Sequence, residues 1–206
     1  LNAHFQLDST KLDDYHQMIA APVYLLGDRV EALILGGGDG VVARELLKHE
    51  KLKQIDLVEI DPMMITLAKN NPYLLGANQF SLHHSKVKTF EDDAFVWVRS
   101  HKKKYDLIIA DFPIPDTAEL SRLYSIEFFS RIASLMSERS FFVIDFPAHQ
   151  IKKGILKNQH NRQFLDRVSR AMLMAFPEAS YYFGTEDSFL FNCKGIESSQ
   201  IASLAD

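Results

Sequence analysis

The sequence predicts an α/β fold, with a mostly parallel sheet, helices on both faces and an antiparallel pair of strands at the C-terminal end. Short β-branched and apolar runs alternate with amphipathic helical runs along most of the 206 residues. A glycine-rich turn at residues 36–40 joins a buried run directly to a helical one. The last two β-like runs are too close for a helical crossover, so we expect them to be antiparallel.

The predicted strands are short runs rich in Val, Ile, Leu and Phe. In chain order they are residues 30–38, 53–61, 83–90, 105–111, 140–146, 179–184 and 187–194. The run at 83–90 is the weakest of them, because two histidines and two lysines interrupt its apolar pattern.

The predicted helices fill the gaps between strands and show apolar residues at helical spacing. They are residues 41–50, 62–71, 92–100, 123–136 and 161–176. Pro62 suits a first helical position, and Asp61 can cap that helix. Asp92 and Asp93 mark the start of the next helix, where Asp92 is the stronger candidate for the cap.

The first 22 residues lie before the regular alternation of strand-like and helix-like runs that marks the rest of the chain. They suggest a strand and turn leading to a helix that is capped between Asp8 and Thr10. We therefore divide the chain into residues 1–22, a linking segment with the first helix, and residues 23–206, one α/β domain.

Composition excludes several function classes. The net charge is −4 and no basic stripe is present, so a nucleic-acid partner is not expected. The only cysteine, Cys193, is expected to be a buried core thiol, and a cytoplasmic setting is expected. No run is long enough to span a bilayer, and no histidine pair has zinc-site spacing, so no metal is expected.

The glycine turn is a candidate ligand loop. Gly36 and Gly38 would let backbone approach a nucleotide-like ligand closely, although a plain tight turn is the alternative. Glu59 ends the second strand about 20 residues later, where a carboxylate can accept hydrogen bonds from ribose hydroxyls.

Asp39 indicates which ligand this loop suits. A carboxylate at the helix start would repel a dinucleotide pyrophosphate but would favour a cation. S-adenosyl compounds carry a sulfonium and an amine and no phosphate. The loop therefore favours an adenosyl-sulfonium ligand over NAD or FAD.

Further carboxylates follow at the ends of later strands. Asp93 could accept a hydrogen bond from an adenine amino group while the backbone N–H of Ala94 meets the ring. Asp111 ends the fourth strand, at the rim where open α/β sheets bind ligands. Each acid alone could be a helix cap, but a whole rim of them is electrostatically costly unless a cation binds there.

Four motifs together carry a family resemblance. Gly36–Gly40, residues 58–62, 92–98 and 105–111 resemble, in order and spacing, the polyamine aminopropyltransferases, the spermidine synthase family. Residues 1–22 resemble the segment that joins that family's small N-terminal β-domain to its catalytic domain. Residues 111–129 look most like the bacterial branch that is fused to membrane-spanning segments.

The resemblance implies a Rossmann-like, S-adenosylmethionine-methyltransferase-type sheet and a role for each site residue. The donor would be decarboxylated S-adenosylmethionine as co-substrate, whose aminopropyl group passes to an amine such as putrescine and leaves methylthioadenosine. Asp39 would meet the donor amine, Glu59 its ribose, and Asp93 with Ala94 its adenine. Asp111 would be the catalytic base.

Residues of the first helix complete this assignment. Tyr15 would border the acceptor amine, and His16 stands where many members have a donor-binding glutamine. Family members also carry a second acid after the catalytic one, where this chain has Ile114, and Asp116 is displaced along the chain. The later tyrosine loop is shortened to residues 181–191. The donor site is thus kept and the acceptor site altered.

Two other functions remain open from the sequence. One is an S-adenosylmethionine-dependent methyltransferase, and the other is a non-catalytic nucleoside-binding or regulatory domain with a degenerate acceptor site. Beyond the polyamine substrate, the expected partners are a second copy in a homodimer and a membrane-spanning segment outside this chain. In that case the chain would be the cytoplasmic domain of a membrane protein.

Overall fold

The computed structural model describes residues 12–113, 117–145, 159–176, 180–183 and 188–196, which contain a seven-stranded sheet of order β3-β2-β1-β4-β5-β7-β6. Strands β1 to β5 are parallel, and β7 is antiparallel to both β5 and β6. The predicted parallel sheet with an antiparallel C-terminal pair is confirmed. The strands are β1 (Val30–Gly36), β2 (Leu52–Glu59), β3 (Val87–Glu91), β4 (Tyr105–Asp111), β5 (Met136–Asp145), β6 (Ser180–Phe183) and β7 (Ser188–Lys194).

Helices connect the parallel strands. They are α1 (Leu12–Ala20), α2 (Val41–Leu47), α3 (Pro62–Asn70), α4 (Pro72–Asn78), α5 (Ala94–Ser100), α6 (Ala118–Ser121), α7 (Ile126–Leu135) and α8 (Gln159–Ala175). Single 3-10 turns lie at Ala21–Leu25, Ser81–His83 and Arg122–Tyr124.

The sheet separates two apolar layers because alternate residues of each strand face opposite sides. Leu33 and Leu35 of β1 face the layer of α5, α7 and α8, whereas Ala32 and Ile34 face the layer of α1, α2 and α3. The central strands are buried on both faces, which explains their continuous apolar runs. Cys193 is buried in β7, as predicted.

Several boundaries differ from the sequence prediction. Helix α4 was not predicted; Pro72 stands at its first position, and Asn71 caps it by accepting from the backbone N–H of Tyr73 and Leu74. Strand β3 begins only at Val87, so the histidines before it do not belong to the strand. Strand β5 extends back to Met136. Helix α7 begins at Ile126, with Ser125 as its N-cap.

Helix α1 packs against α2 and β5 at the carboxyl ends of the strands. Ile19 of α1 and Val23 of the following 3-10 turn are buried in the α1–α2–α3 layer. This packing places the start of α1 over the rim of the sheet. The predicted cap at Asp8–Thr10 lies outside the described residues, and the division at residue 22 stays a prediction.

Candidate functional site

Five neighbouring strands end in one row of residues at the carboxyl edge of the sheet. The register places Gly36 opposite Asp111 and Glu59 opposite Glu91. Leu35 pairs with Val58, so the next position sets Gly36 beside Glu59. Likewise Ala110 pairs with Ile144, so the next position sets Asp111 beside Asp145. Residues in register on parallel strands point to the same face, here the face of α1 and α2. The row is therefore Glu91, Glu59, Gly36, Asp111 and Asp145.

The glycine loop fits against this row because Gly36 and Gly38 have no side chains. A Cβ on Gly36, whose φ is +84°, would lie 2.2 Å from the backbone oxygen of Asp111. A Cβ on Gly38 would lie 2.6 Å from Cγ of Glu59. The backbone contact requires glycine at position 36, whereas a side chain at position 38 would displace the carboxylate of Glu59.

Glu59 is held in place by backbone donors. Its Oε2 accepts from the N–H of Gly38 at 3.2 Å, and its Oε1 accepts from the N–H of Asp61 at 2.9 Å. Burial raises the pKa of Glu59, and these N–H groups oppose that shift. Each oxygen keeps a second acceptor direction, so the carboxylate can bind a pair of hydroxyl groups.

Asp39 lies at the start of α2. Its Oδ1 accepts from the backbone N–H of Val41 at 2.9 Å. Burial raises the pKa of Asp39, while the Val41 N–H, His16 and Arg44 act in the opposite direction. A buried carboxylate that burial disfavours is stabilised by an arriving cation.

Two polar side chains hold the glycine loop from behind. Asn78, which is 1% exposed, donates from Nδ2 to the carbonyl of Asp39 at 2.8 Å and to that of Ala68 at 3.0 Å. The hydroxyl of Ser81 donates to the carbonyl of Gly40 at 2.6 Å. The loop that carries Asp39 is therefore a fixed part of the domain.

Asp111 and Tyr15 meet in the middle of the rim. The Tyr15 hydroxyl donates to Oδ1 of Asp111 at 2.9 Å. Burial, with Asp39 as the next cause, raises the pKa of Asp111 to about 6, and His16 and the Tyr15 hydrogen bond oppose the rise. Asp111 is thus a stronger base than an ordinary carboxylate and still ionised at neutral pH.

His16 lies beside this pair. It is 7% exposed, and its ring meets the ring of Tyr15 edge-on at 5.0 Å between centroids. In its protonated form it would lower the pKa of both Asp39 and Asp111. The structure therefore brings Tyr15, His16, Asp39 and Asp111 together, whereas a direct donor contact by His16 stays a prediction.

Asp93 and Ala94 lie at the start of α5, beyond β3. Asp93 caps the helix, because its Oδ1 accepts from Phe95 at 2.8 Å and from Val96 at 3.3 Å. Its Oδ2 forms an ion pair with Arg122. The assignment of the cap to Asp92 was wrong: Oδ1 of Asp92 accepts instead from the N–H of Asp93. The adenine contact of Asp93 stays a prediction. The adenine amino group would have to share the Asp93 carboxylate with Arg122.

The model of one protein family matches most of the chain. This is the spermine/spermidine synthase domain, matched over residues 12–186. The chain belongs to this family. The resemblance and the Rossmann-like fold class seen in the sequence are thereby confirmed.

Relatives agree with this assignment. Polyamine aminopropyltransferase 1 of Streptomyces coelicolor is 40% identical over 137 residues, which cover 66% of this chain and 26% of the relative. Polyamine aminopropyltransferase 2 of Bacillus anthracis is 40% identical over 144 residues, covering 69% of this chain and 40% of the relative. The chain thus spans well under half the length of these relatives.

Solved structures show the same fold. A spermidine synthase in complex with the transition-state analogue AdoDATO has a TM-score of 0.74 and 25% identity, covering 89% of this chain and 61% of that one. Spermidine synthase from Thermotoga maritima has a TM-score of 0.71 and 26% identity, covering 89% of this chain and 60% of that one. Human methyltransferase-like protein 13, at 18% identity and a TM-score of 0.69, supports the fold alone.

Some residues of this spermidine synthase-type rim were not predicted. Ile60, 65% exposed directly after Glu59, offers an apolar surface beside the carboxylate. Tyr124 is only 5% exposed, and its hydroxyl donates to the carbonyl of Pro113 at 3.3 Å, next to Asp111. Asp145 was missed although its strand ends in Asp-Phe-Pro, as β4 does. Ile114 and Asp116 lie outside the described residues, as does the link at 184–187.

Among the residues that the structure describes, no group of three or more His, Cys, Asp or Glu side chains is arranged to hold a metal ion. None of the helices described is long and apolar enough to cross a membrane.

The raised pKa of Asp111 predicts a cost in stability. The folded state binds this proton more tightly than the unfolded state, so ionisation destabilises the fold as pH rises through about 6. Asp111→Asn removes the buried charge and should therefore raise the free energy of unfolding at pH 8 by about 1–3 kcal/mol, which corresponds to a rise in Tm of about 2–10 °C. This gain should vanish near pH 4, where the carboxyl of the folded protein is protonated. Thermal unfolding followed by circular dichroism at both pH values measures this. The exposed Asp166→Asn is the control, and an Asp111→Asn variant no more stable than wild type at pH 8 would contradict the account.

The anchoring of the glycine loop predicts a second effect on stability. Asn78→Ala leaves buried carbonyls of Asp39 and Ala68 without their donor, and should lower the free energy of unfolding by about 1–3 kcal/mol. Asn70→Ala, which removes an exposed asparagine from α3, should change it by less than about 0.5 kcal/mol. Urea denaturation of both variants compares them, and equal losses would show that Asn78 does not anchor the loop.

Proposed function

We propose that this chain is the catalytic domain of an aminopropyltransferase. It would move an aminopropyl group from decarboxylated S-adenosylmethionine to an amine and release methylthioadenosine. The observation that carries the proposal is the placement of Asp111 against the glycine loop that carries Asp39, where a Cβ on Gly37 would lie 3.1 Å from Oδ2 of Asp111. Family membership supports it, and neither a methyltransferase nor a non-catalytic domain is favoured by the relatives.

The donor would lie along the rim from α5 to α2. Asp93 and the N–H of Ala94 would meet the adenine, and Ile60 would pack on its ring. Glu59, already oriented by Gly38 and Asp61, would accept from both ribose hydroxyls. These contacts would direct the sulfonium end toward Asp39 and Asp111.

Asp39 would select the decarboxylated donor. The aminopropyl amine is a cation that a buried carboxylate binds, whereas the carboxylate of intact S-adenosylmethionine would be repelled there. The raised pKa of Asp39 supports this role, because binding the amine would relieve an unfavourable buried charge. His16 stands close enough to both acids to tune this balance.

Asp111 would prepare the acceptor. A primary amine has a pKa near 10 and arrives protonated, so it cannot attack until it loses a proton. Asp111 would bind the ammonium and accept that proton or pass it to solvent, with its orientation fixed by Tyr15. The amine nitrogen would then form a bond to the carbon next to the sulfonium, as the carbon–sulfur bond breaks and its electron pair stays on sulfur.

The setting of the reaction is part of the proposal. The acceptor is a polyamine, putrescine or a different one, and no metal takes part in the transfer. The lone, buried Cys193 suits the reducing conditions of the cytoplasm, where we place this domain. A homodimer and attachment to a membrane-spanning segment remain expectations from the sequence.

The decisive test is release of methylthioadenosine by the full-length protein. The protein is incubated with decarboxylated S-adenosylmethionine and a panel of mono-, di- and triamines. Wild type should release the nucleoside with at least one amine, and Asp111→Asn should lower kcat/KM about 10²- to 10⁴-fold. Asp166→Asn, an exposed acid on α8, should match wild type. No release above the Asp111→Asn background with any amine would overturn the proposal.

The hydrogen bond from Tyr15 predicts a shift in pH dependence. Because the donated bond stabilises ionised Asp111, Tyr15→Phe should raise the pKa of that carboxyl further. The acid limb of kcat/KM, expected near pH 6 in wild type, should move up by about 1 pH unit. The pH profiles of Tyr15→Phe and of the exposed-site control Tyr24→Phe test this. An unchanged acid limb in Tyr15→Phe would show that its hydroxyl does not tune Asp111.

A further inference from the structure

An arginine lies buried behind the glycine loop and has no part in the reaction described above. Arg44, on α2, is 7% exposed, and its neighbour Glu45 is 5% exposed. The backbone N–H of Arg44 donates to the carbonyl of Gly40 at 3.0 Å, so the residue lies one helical turn from the loop. A charge buried this deeply needs fixed polar partners, because an unpaired charge destabilises a protein interior.

The guanidinium of Arg44 is fixed in orientation by its partners. Its Nε donates to Oε1 of Glu45 at 2.8 Å, and its Nη2 lies 2.6 Å from the same oxygen. Its Nη1 donates to the carbonyl of Ala77 at 2.7 Å. Lys48 donates to the other oxygen of Glu45 at 2.6 Å, so these three charged side chains together keep one net positive charge. A planar guanidinium that is held through three nitrogens has little freedom to turn.

The bond to Ala77 connects Arg44 with the Asp39 loop by a second route. Ala77 precedes Asn78 at the end of α4, and Nδ2 of Asn78 donates to the carbonyl of Asp39 at 2.8 Å. Arg44 therefore fixes the end of α4 from which Asn78 holds the backbone of Asp39.

Charged groups from three elements act on Asp39. Burial raises the pKa of Asp39, whereas the N–H of Val41, His16 of α1 and Arg44 of α2 lower it. Asp111 of β4 is the neighbouring anion, since the charge of Asp39 helps to raise the pKa of Asp111. An arginine keeps its charge at every pH at which proteins are folded, whereas a histidine carries one only when protonated. Arg44 is thus a permanent cation that favours the ionised form of Asp39.

We infer that Arg44 is a positioning residue for the donor, which holds Asp39 toward the aminopropyl amine and thereby sets the preference for a donor without a carboxylate. The inference rests on the proposed function, since it deepens the donor end of that site. Arg44 acts from behind the loop, through Asp39 and Ala77, and bonds with neither donor nor acceptor.

Two nucleosides test this role by calorimetric titration of the full-length protein. Decarboxylated S-adenosylmethionine carries the aminopropyl amine, and methylthioadenosine lacks it. The variant is Arg44→Met combined with Glu45→Gln, so that no buried carboxylate loses its ion pair. It should raise the Kd of the decarboxylated donor about 10- to 100-fold and leave that of methylthioadenosine within about twofold, because only the former binds Asp39. Equal losses with both nucleosides, or no loss with the decarboxylated donor, would overturn the inference.

Single substitutions separate the arginine from its ion pair. Arg44→Lys, which keeps the charge, should bind the decarboxylated donor with an affinity between those of wild type and the double variant. Glu45→Gln alone, which keeps the arginine, should stay within about twofold of wild type. Arg170→Met, which removes an exposed arginine from α8, is the surface control. A loss in Glu45→Gln as large as that in the double variant would contradict the role of Arg44.

The pH dependence of binding gives a readout that a purely structural role would not change. Because Arg44 favours ionised Asp39, the double variant should raise the pKa of Asp39 further. Affinity for the decarboxylated donor should then be lost on acidification at a pH about 1 unit higher than in wild type. The pH profile for methylthioadenosine should be the same in both proteins. An unshifted profile for the decarboxylated donor would overturn the inference.

These titrations require no turnover, so failure of this inference can be distinguished from failure of the proposed function. A protein that binds the decarboxylated donor in an Arg44-dependent way, yet releases no methylthioadenosine with any amine, would contradict the aminopropyl transfer alone. Turnover in wild type, with a donor affinity that the double variant retains, would contradict the role of Arg44 alone.

Discussion

Burial of carboxylates at the rim of the sheet is the constraint on which the rest of the site depends. The ends of β3, β2, β4 and β5 contribute Glu91, Glu59, Asp111 and Asp145 to one row, with Gly36 of β1 in its centre. Burial is the main cause of the raised pKa values of Glu59 and Asp111, with the charge of Asp39 adding to the rise at Asp111, and these shifts express the cost of holding anions in the rim. Cationic ligands relieve that cost. The same electrostatics that lower the free energy of unfolding therefore favour binding of a sulfonium and of ammonium groups.

The fold keeps these charges in place through backbone donors and a few fixed side chains. Glu59 accepts from two N–H groups, Asp39 from the first turn of α2, and Asp111 from Tyr15. Asn78 and Ser81 fix the glycine loop from the opposite side. Such positioning lets the carboxylates act without rearrangement when a ligand arrives, which is the usual advantage of a preorganised polar site.

The sequence predicted the sheet and most of the donor side because both depend on local patterns. Alternating strands and helices, a glycine turn and acids at strand ends can all be recognised without tertiary structure. Helix α4 was not predicted: it has only seven residues, and the capping contacts of the Asn71 side chain that start it are visible only in the structure. Asp145 and Tyr124 were missed for another reason. Only the β4–β5 register and the packing of the Arg122–Tyr124 turn bring them next to Asp111, and neither is visible in the local pattern.

The most direct test of the electrostatic account is the ionisation of Asp111 itself. Carbon-13 NMR of the Asp111 carboxyl, assigned by comparison with Asp111→Asn, gives its pKa with and without methylthioadenosine and a diamine. The account predicts a pKa near 6 in the free protein and a fall of about 1 unit or more when the ammonium groups bind. A pKa near 4 in the free protein, or one that the diamine leaves unchanged, would contradict it.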